Sequence, residues 1–156
     1  MEIYDSLLGA VCDEYDRVTL IKKSERGEVT LIRHRASGNR YIFRHFSGSS
    51  EVYRKLLTVS CPNLPQIMEV GEKEGKTALL EEYVQGDTLG EILQGGLLTA
   101  AQAKQITRQL CMALWVLHSL GVVHRDVKPD NVIIRGTEAV LIDFDASRIY
   151  KNENRE

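Results

Sequence analysis

The stretch Val123-His124-Arg125-Asp126-Val127-Lys128-Pro129-Asp130-Asn131, followed by Asp143-Phe144-Asp145, decides how this chain is read. It concentrates charge between apolar runs, with residues 117–123 leading in and Val132-Ile133-Ile134 leading out. A loop pinned between apolar runs holds its polar side chains in fixed places, as a catalytic site requires. Just upstream, Thr99 caps a long helix reaching about Leu120, with Ile106, Leu110, Ala113, Leu114 and Leu117 inward and Gly121 closing it. Its most apolar part, from Cys111 onward, reads as a buried helix. Downstream, residues 132–135 and 139–142 read as strands around a turn at Gly136.

The first half of the chain has a different pattern. Ile3, Tyr4, Leu7, Leu8 and Val11 fall at helical spacing, so residues 3–12 read as an amphipathic helix. Residues 18–21, 29–32 and 41–43 are rich in β-branched and aromatic residues and read as an antiparallel meander. Ser49 or Ser50 then caps a helix whose buried face is Val52, Leu56, Leu57 and Val59, ended by Pro62 and Pro65. Residues 67–70 and 77–84 form a second hairpin with its turn at 71–76, and 88–93 read as a short helix. The charged end, 151–156, is expected to be disordered.

Composition narrows the function. Hydrophobic residues make up 43%, enough for a core, and the net charge of -2 offers no basic footprint for nucleic acid. No apolar run is long enough to span a bilayer, and no basic region follows Met1. Cys12, Cys61 and Cys111 are odd in number and widely spaced, which fits a reducing cytoplasm better than a disulfide framework or zinc site.

Residues 15–150 resemble the protein kinase superfamily. His124-Arg125-Asp126 with Lys128 and Asn131 is similar to that family's catalytic loop, and Asp143-Phe144 to the start of its D-F-G motif. Lys128-Pro129 resembles the Ser/Thr-specific, bacterial-like branch. Arg125 and Lys128 argue against a small-molecule kinase. The resemblance implies an α+β, protein-kinase-like fold. Its parts would be an N-terminal helix (1–14), a five-stranded antiparallel N-lobe with one helix (15–85), and a partial, helical C-lobe with the catalytic loop (86–150). It implies ATP and Mg²⁺ as cofactors and a protein hydroxyl as acceptor. Asp126 would orient or accept the hydroxyl proton, Lys128 would neutralise the transferred phosphate, and Asn131 and Asp143 would hold the metal. His124 would brace the loop.

On the nucleotide side the pattern departs from the family. Gly27 and Val29 stand where its Gly-rich loop ends, with Lys22 and Ser24 at its earlier glycines. Arg44 takes the place of the β3 lysine, keeping the charge on a planar fork. Glu51 is the acid expected to pair with it, or else a helix N-terminal acid favoured by the dipole. Backbone groups of Glu82 and Val84 would bind the adenine edge, between Val29, Ile42 and Ile133. Those three side chains serve equally as plain core. Glu81, at the gatekeeper position, would need a Lys or Arg partner or a raised pKa. Asp145 replaces the motif's Gly, and Asp bears Gly's backbone angles only at a cost. The chain ends at Glu156, inside what the family has as its activation segment, so it resembles a truncated kinase. Apolar surface around Leu114 and Trp115 would then need a cover, such as a second copy of the chain. The expected function is Ser/Thr protein phosphorylation. The alternative is a catalytically weak kinase-like binding or scaffold module.

Overall fold

The computed structural model describes residues 2–150, so the expected disordered tail lies outside the described residues. Two units emerge: residues up to Val59 with Gln66–Tyr83, and Ser60–Pro65 with the residues from Val84 onward. The expected division after residue 85 therefore moves to Tyr83. Residues 60–65 join the second unit because Asn63 donates Nδ2–H to Ala139 O (2.9 Å) and accepts from Leu141 N–H (3.0 Å).

In the first unit α1 (Ile3–Glu14) is two residues longer than its apolar pattern, and Tyr4, Leu7 and Val11 are its buried stripe while Ile3 is exposed. β1 (Tyr15–Ser24), β2 (Gly27–His34) and β3 (Arg40–Ser47) form the meander. After α2 (Glu51–Leu56) come β4 (Ile67–Lys73) and β5 (Lys76–Glu82). The hairpin turn between them is only Glu74-Gly75, both at positive φ (50° and 74°), which lengthens both expected strands toward it. The sheet order is β1-β2-β3-β5-β4, antiparallel throughout, so β5 inserts between β3 and β4.

Each sheet face has its own apolar cluster. Tyr4, Leu7 and Val11 of α1 meet Ile32, Phe43, Ala78 and Leu80 on one side. Burying such side chains contributes about 1.5–3 kcal/mol each. The Tyr4 hydroxyl also hydrogen-bonds His45 Nε2 (2.7 Å). The helix comes so close that a Cβ on Gly71 would lie 2.4 Å from Tyr4 N. We expect Gly71→Ala to lift α1 and lower stability by about 1–3 kcal/mol, the range for overpacking, read as an earlier urea midpoint. The other face gathers Val29, Leu31 and Ile42 with Tyr83.

α2 ends at Leu56 rather than Val59, and buries Tyr53 and Leu56 rather than Val52, Leu57 and Val59. Tight three-residue bonds, Leu57 N–H to Arg54 O and Val59 N–H to Leu56 O, close it early. Its start is tied to the sheet. Ser50 donates its N–H (2.9 Å) and hydroxyl (2.5 Å) to Glu72 Oε2 on β4. Those bonds hold the Glu72 carboxyl below the usual carboxylate range. Ser49 Oγ accepts the Glu51 N–H instead (3.1 Å).

The second unit runs β6 (Asp87–Thr88), α3 (Leu89–Gln94), α4 (Ala100–Ser119), β7 (Val122–Val123), a 3₁₀ turn at Pro129–Asn131, β8 (Val132–Arg135), β9 (Glu138–Leu141) and β10 (Arg148–Ile149). Thr99 caps α4 in a capping box with Gln102, and Gly121 (φ 75°) follows its end. α4 is not the buried helix that its apolar run suggests. Only Ala113 and Leu117 are buried, whereas Ile106, Leu110 and Leu114 are partly covered and Trp115 is 69% exposed. β7 and β9 contact one side of α4, which leaves Met112 and Trp115 facing outward. Strands β6, β8 and β9 form one small sheet and β7 with β10 another.

Candidate active site

The charged loop is held at both ends. β7 enters it, paired with β10, and the 3₁₀ turn and β8 leave it. His124, fully buried, is its brace. Its Nε2 lies 2.9 Å from Ile142 O, and its Nδ1 accepts the Asp126 N–H at 3.1 Å. A carbonyl can only accept and an N–H can only donate, so the proton sits on Nε2. The ring meets Phe144 edge-on at 5.5 Å, and Ser147 Oγ donates to His124 O (3.1 Å).

On that support stand the polar groups. Asn131 Nδ2 donates to Asp126 O (2.9 Å) and to Asp126 Oδ2 (3.0 Å). Lys128 Nζ is 3.6 Å from the same Oδ2, with both side chains well exposed to solvent. Ile142 N–H reaches Asn131 O (2.9 Å), which brings the segment before Asp143 alongside Asn131. Arg125 (φ 72°) and Asp143 (φ 64°) have left-handed backbones. Such residues cost about 1–3 kcal/mol each and gather at functional sites. Asp143 eases its cost locally, since Oδ1 accepts the Asp145 N–H (3.1 Å). The strain expected at Asp145 thus falls on Asp143 instead. Asp126, Lys128, Asn131 and Asp143 therefore share one unit, and Val84 and Ile133 lie in it too.

The first unit carries the remaining candidates. Val29 pairs with Arg44 and Ile42 with Leu31, so Val29, Ile42 and Arg44 share one sheet face. Arg44 is buried and Nε donates to Glu81 Oε2 at 2.7 Å. The expected partner, Glu51, is exposed at the start of α2. Glu81 supplies the carboxylate because it projects from the neighbouring strand onto the same face, and Arg44 in turn is the cation Glu81 needed. Gly27 follows a two-residue hairpin turn, and a Cβ there would lie 2.2 Å from His45 O, so close approach to β3 alone demands glycine. The Glu82 N–H is already bonded to Gln66 O (2.8 Å) and is closed to a ligand.

Mg²⁺ takes oxygen donors and keeps waters and phosphate oxygens in its shell, so two protein ligands suffice. Among the described residues no three His, Cys, Asp or Glu gather into a metal cluster. The Asn131 amide oxygen and Asp143 carboxylate suit such a sparsely held ion, because both Asn131 bonds to Asp126 use its nitrogen.

Residues 17–156 match the family model of the protein kinase domain. The chain belongs to the protein kinase family. It is 35% identical over 102 residues to serine/threonine-protein kinase pkn2 of Myxococcus xanthus, covering 63% of this chain and 12% of that protein. It is 38% identical over 85 residues to serine/threonine-protein kinase D of Synechocystis, covering 53% and 16%. With the mouse testis-specific serine/threonine-protein kinase 3 it shares 30% identity over 138 residues, covering 86% and 50%. The kinase chain thus spans half or less of these relatives' lengths. Its five-stranded sheet with α2, and the helices and loop that follow, are the kinase N-lobe and the start of the C-lobe. Among the described residues no helix is long and apolar enough to cross a membrane.

Proposed function

We propose that this kinase-family chain carries the ATP-handling and catalytic groups of a Ser/Thr protein kinase, which moves the terminal phosphoryl of Mg·ATP to a protein hydroxyl. The observation that carries this reading is the Asp126–Asn131–Lys128 group on a loop braced by a buried histidine. The Asn131 amide holds the Asp126 carboxylate toward one orientation, ready to accept the hydroxyl proton as oxygen attacks phosphorus. Lys128, half exposed beside it, balances negative charge on the phosphoryl oxygens. Asn131 and Asp143 would hold Mg²⁺, which supplies charge neutralisation of the phosphates. Arg44 supplies positive charge on the nucleotide side, and Val29 and Ile42 give an apolar face for adenine. Three unbridged thiols, two of them exposed, support a cytoplasmic setting.

A second reading, a kinase-like binding module with weak catalysis, draws on the arginine at position 44 and its engagement with Glu81. Calorimetric titration tests the nucleotide-binding step that both readings share. We expect saturable Mg·ATP binding that weakens at least about tenfold in Asp143→Ala, the scale of losing one charged ligand. Removing Mg²⁺ weakens wild type equally and the variant no further. Absence of saturable binding overturns the nucleotide reading. Binding without any phosphate transfer favours the module.

A further inference from the structure

The buried pair of Arg44 and Glu81 joins β3 to β5, with side chains only 9% and 3% exposed. Register explains the meeting. Arg44 pairs with Leu79 and Ile42 with Glu81, so Glu81 is the diagonal neighbour of Arg44 on one face. Long side chains span that diagonal. A pair so removed from water is hard to break, because either partner leaving strands the other's charge. Glu51, the acid of α2, is exposed, and α2 has a separate tether in the two Ser50 donors on Glu72. Two carboxylates divide two tasks: Glu81 holds the cation and Glu72 holds the helix.

We infer that Glu81 is the positioning residue for Arg44, setting the nucleotide-side cation from within the sheet and independently of α2. This rests on the nucleotide reading proposed above. A shift of α2 then leaves the cation in place, so nucleotide affinity is insensitive to Glu51 and sensitive to Glu81. Because Glu81 acts through Arg44 on phosphate, its loss affects a ligand with phosphates and spares one without.

Calorimetry on the purified protein with two probes, Mg·ATP and adenosine, tests this. Glu51→Ala stays within about twofold of wild type for both, as surface substitutions do. Glu81→Gln weakens Mg·ATP by roughly tenfold or more, the scale of a charge-assisted hydrogen bond, and leaves adenosine within about twofold. Should Glu81→Gln fail to fold, the apolar double variant Arg44→Met/Glu81→Met strands no charge, and it shows the same selective loss of Mg·ATP. Equal weakening by Glu51→Ala and Glu81→Gln overturns the inference. So does an equal loss of adenosine, which marks a merely structural role, or full Mg·ATP affinity in the double variant. Wild-type protein that binds neither probe overturns the nucleotide reading and this inference together, whereas the other outcomes overturn the inference alone.

Discussion

Asp126→Asn lowers phosphoryl transfer by roughly 10²–10⁴-fold, the usual worth of a positioned general base. The substitution is nearly isosteric, and its amide oxygen can still accept from Asn131 Nδ2, now 3.0 Å from Asp126 Oδ2. The loop therefore keeps its shape. What disappears is the negative charge that accepts the proton and that faces Lys128 at 3.6 Å. Mg·ATP affinity stays within about twofold, because the change meets only the Asn131 amide nitrogen, leaves its oxygen and Asp143 alone, and surface-side changes rarely exceed that. Labelled phosphate transfer to a mixed protein substrate, run beside calorimetry, reads both quantities. Transfer within tenfold of wild type would remove Asp126 from the role of base.

His124→Ala has the largest expected effect on stability. The ring is fully buried and edge-on to Phe144, which is itself 2% exposed. Truncating a large buried ring costs about 3–5 kcal/mol. The change also strands the Asp126 N–H and one acceptor bond of Ile142 O, each worth about 1–3 kcal/mol when left unmade in the interior. These terms overlap, so the lower range of their sum is expected. Urea unfolding with tryptophan emission measures it. A loss under 1 kcal/mol would mean that the loop has other supports. Catalysis falls too, since the Asp126 backbone hangs from Nδ1 of this ring.

The charged loop of the candidate site was legible because its residues are consecutive. His124, Arg125, Asp126, Lys128 and Asn131 needed only to be read in order, and the structure sets Asp126, Lys128 and Asn131 against one another. The strands were legible from β-branched runs. Less legible was anything set by pairing between distant strands. Arg44 called for an acid and Glu81 for a cation, but they lie 37 positions apart, and only the β3–β5 register makes them neighbours. The family resemblance favoured Glu51, the only acid in the helix that follows β3. The two-residue strands β7 and β10 carry too few residues for any periodicity, although they close the loop's entry. Composition also misjudged α4, because an apolar run says nothing of how many sides of a helix are met by neighbours. Gly27 shows a further limit. A glycine expected for phosphate proves to be required by the approach of β3, whatever it also binds.

The helix laid across the sheet has a consequence for how the chain is made. α1 is made before the strands it covers, since its apolar stripe meets Ala78 and Leu80 of β5 and its backbone meets Gly71 of β4. Those partners are synthesised last in the unit. Until then Tyr4, Leu7 and Val11 have no complete surface to cover. Contacts between distant segments form late, and uncovered apolar stretches invite aggregation in the interval. Within this unit, the segment that seals the finished sheet is therefore the one that waits longest for its partners.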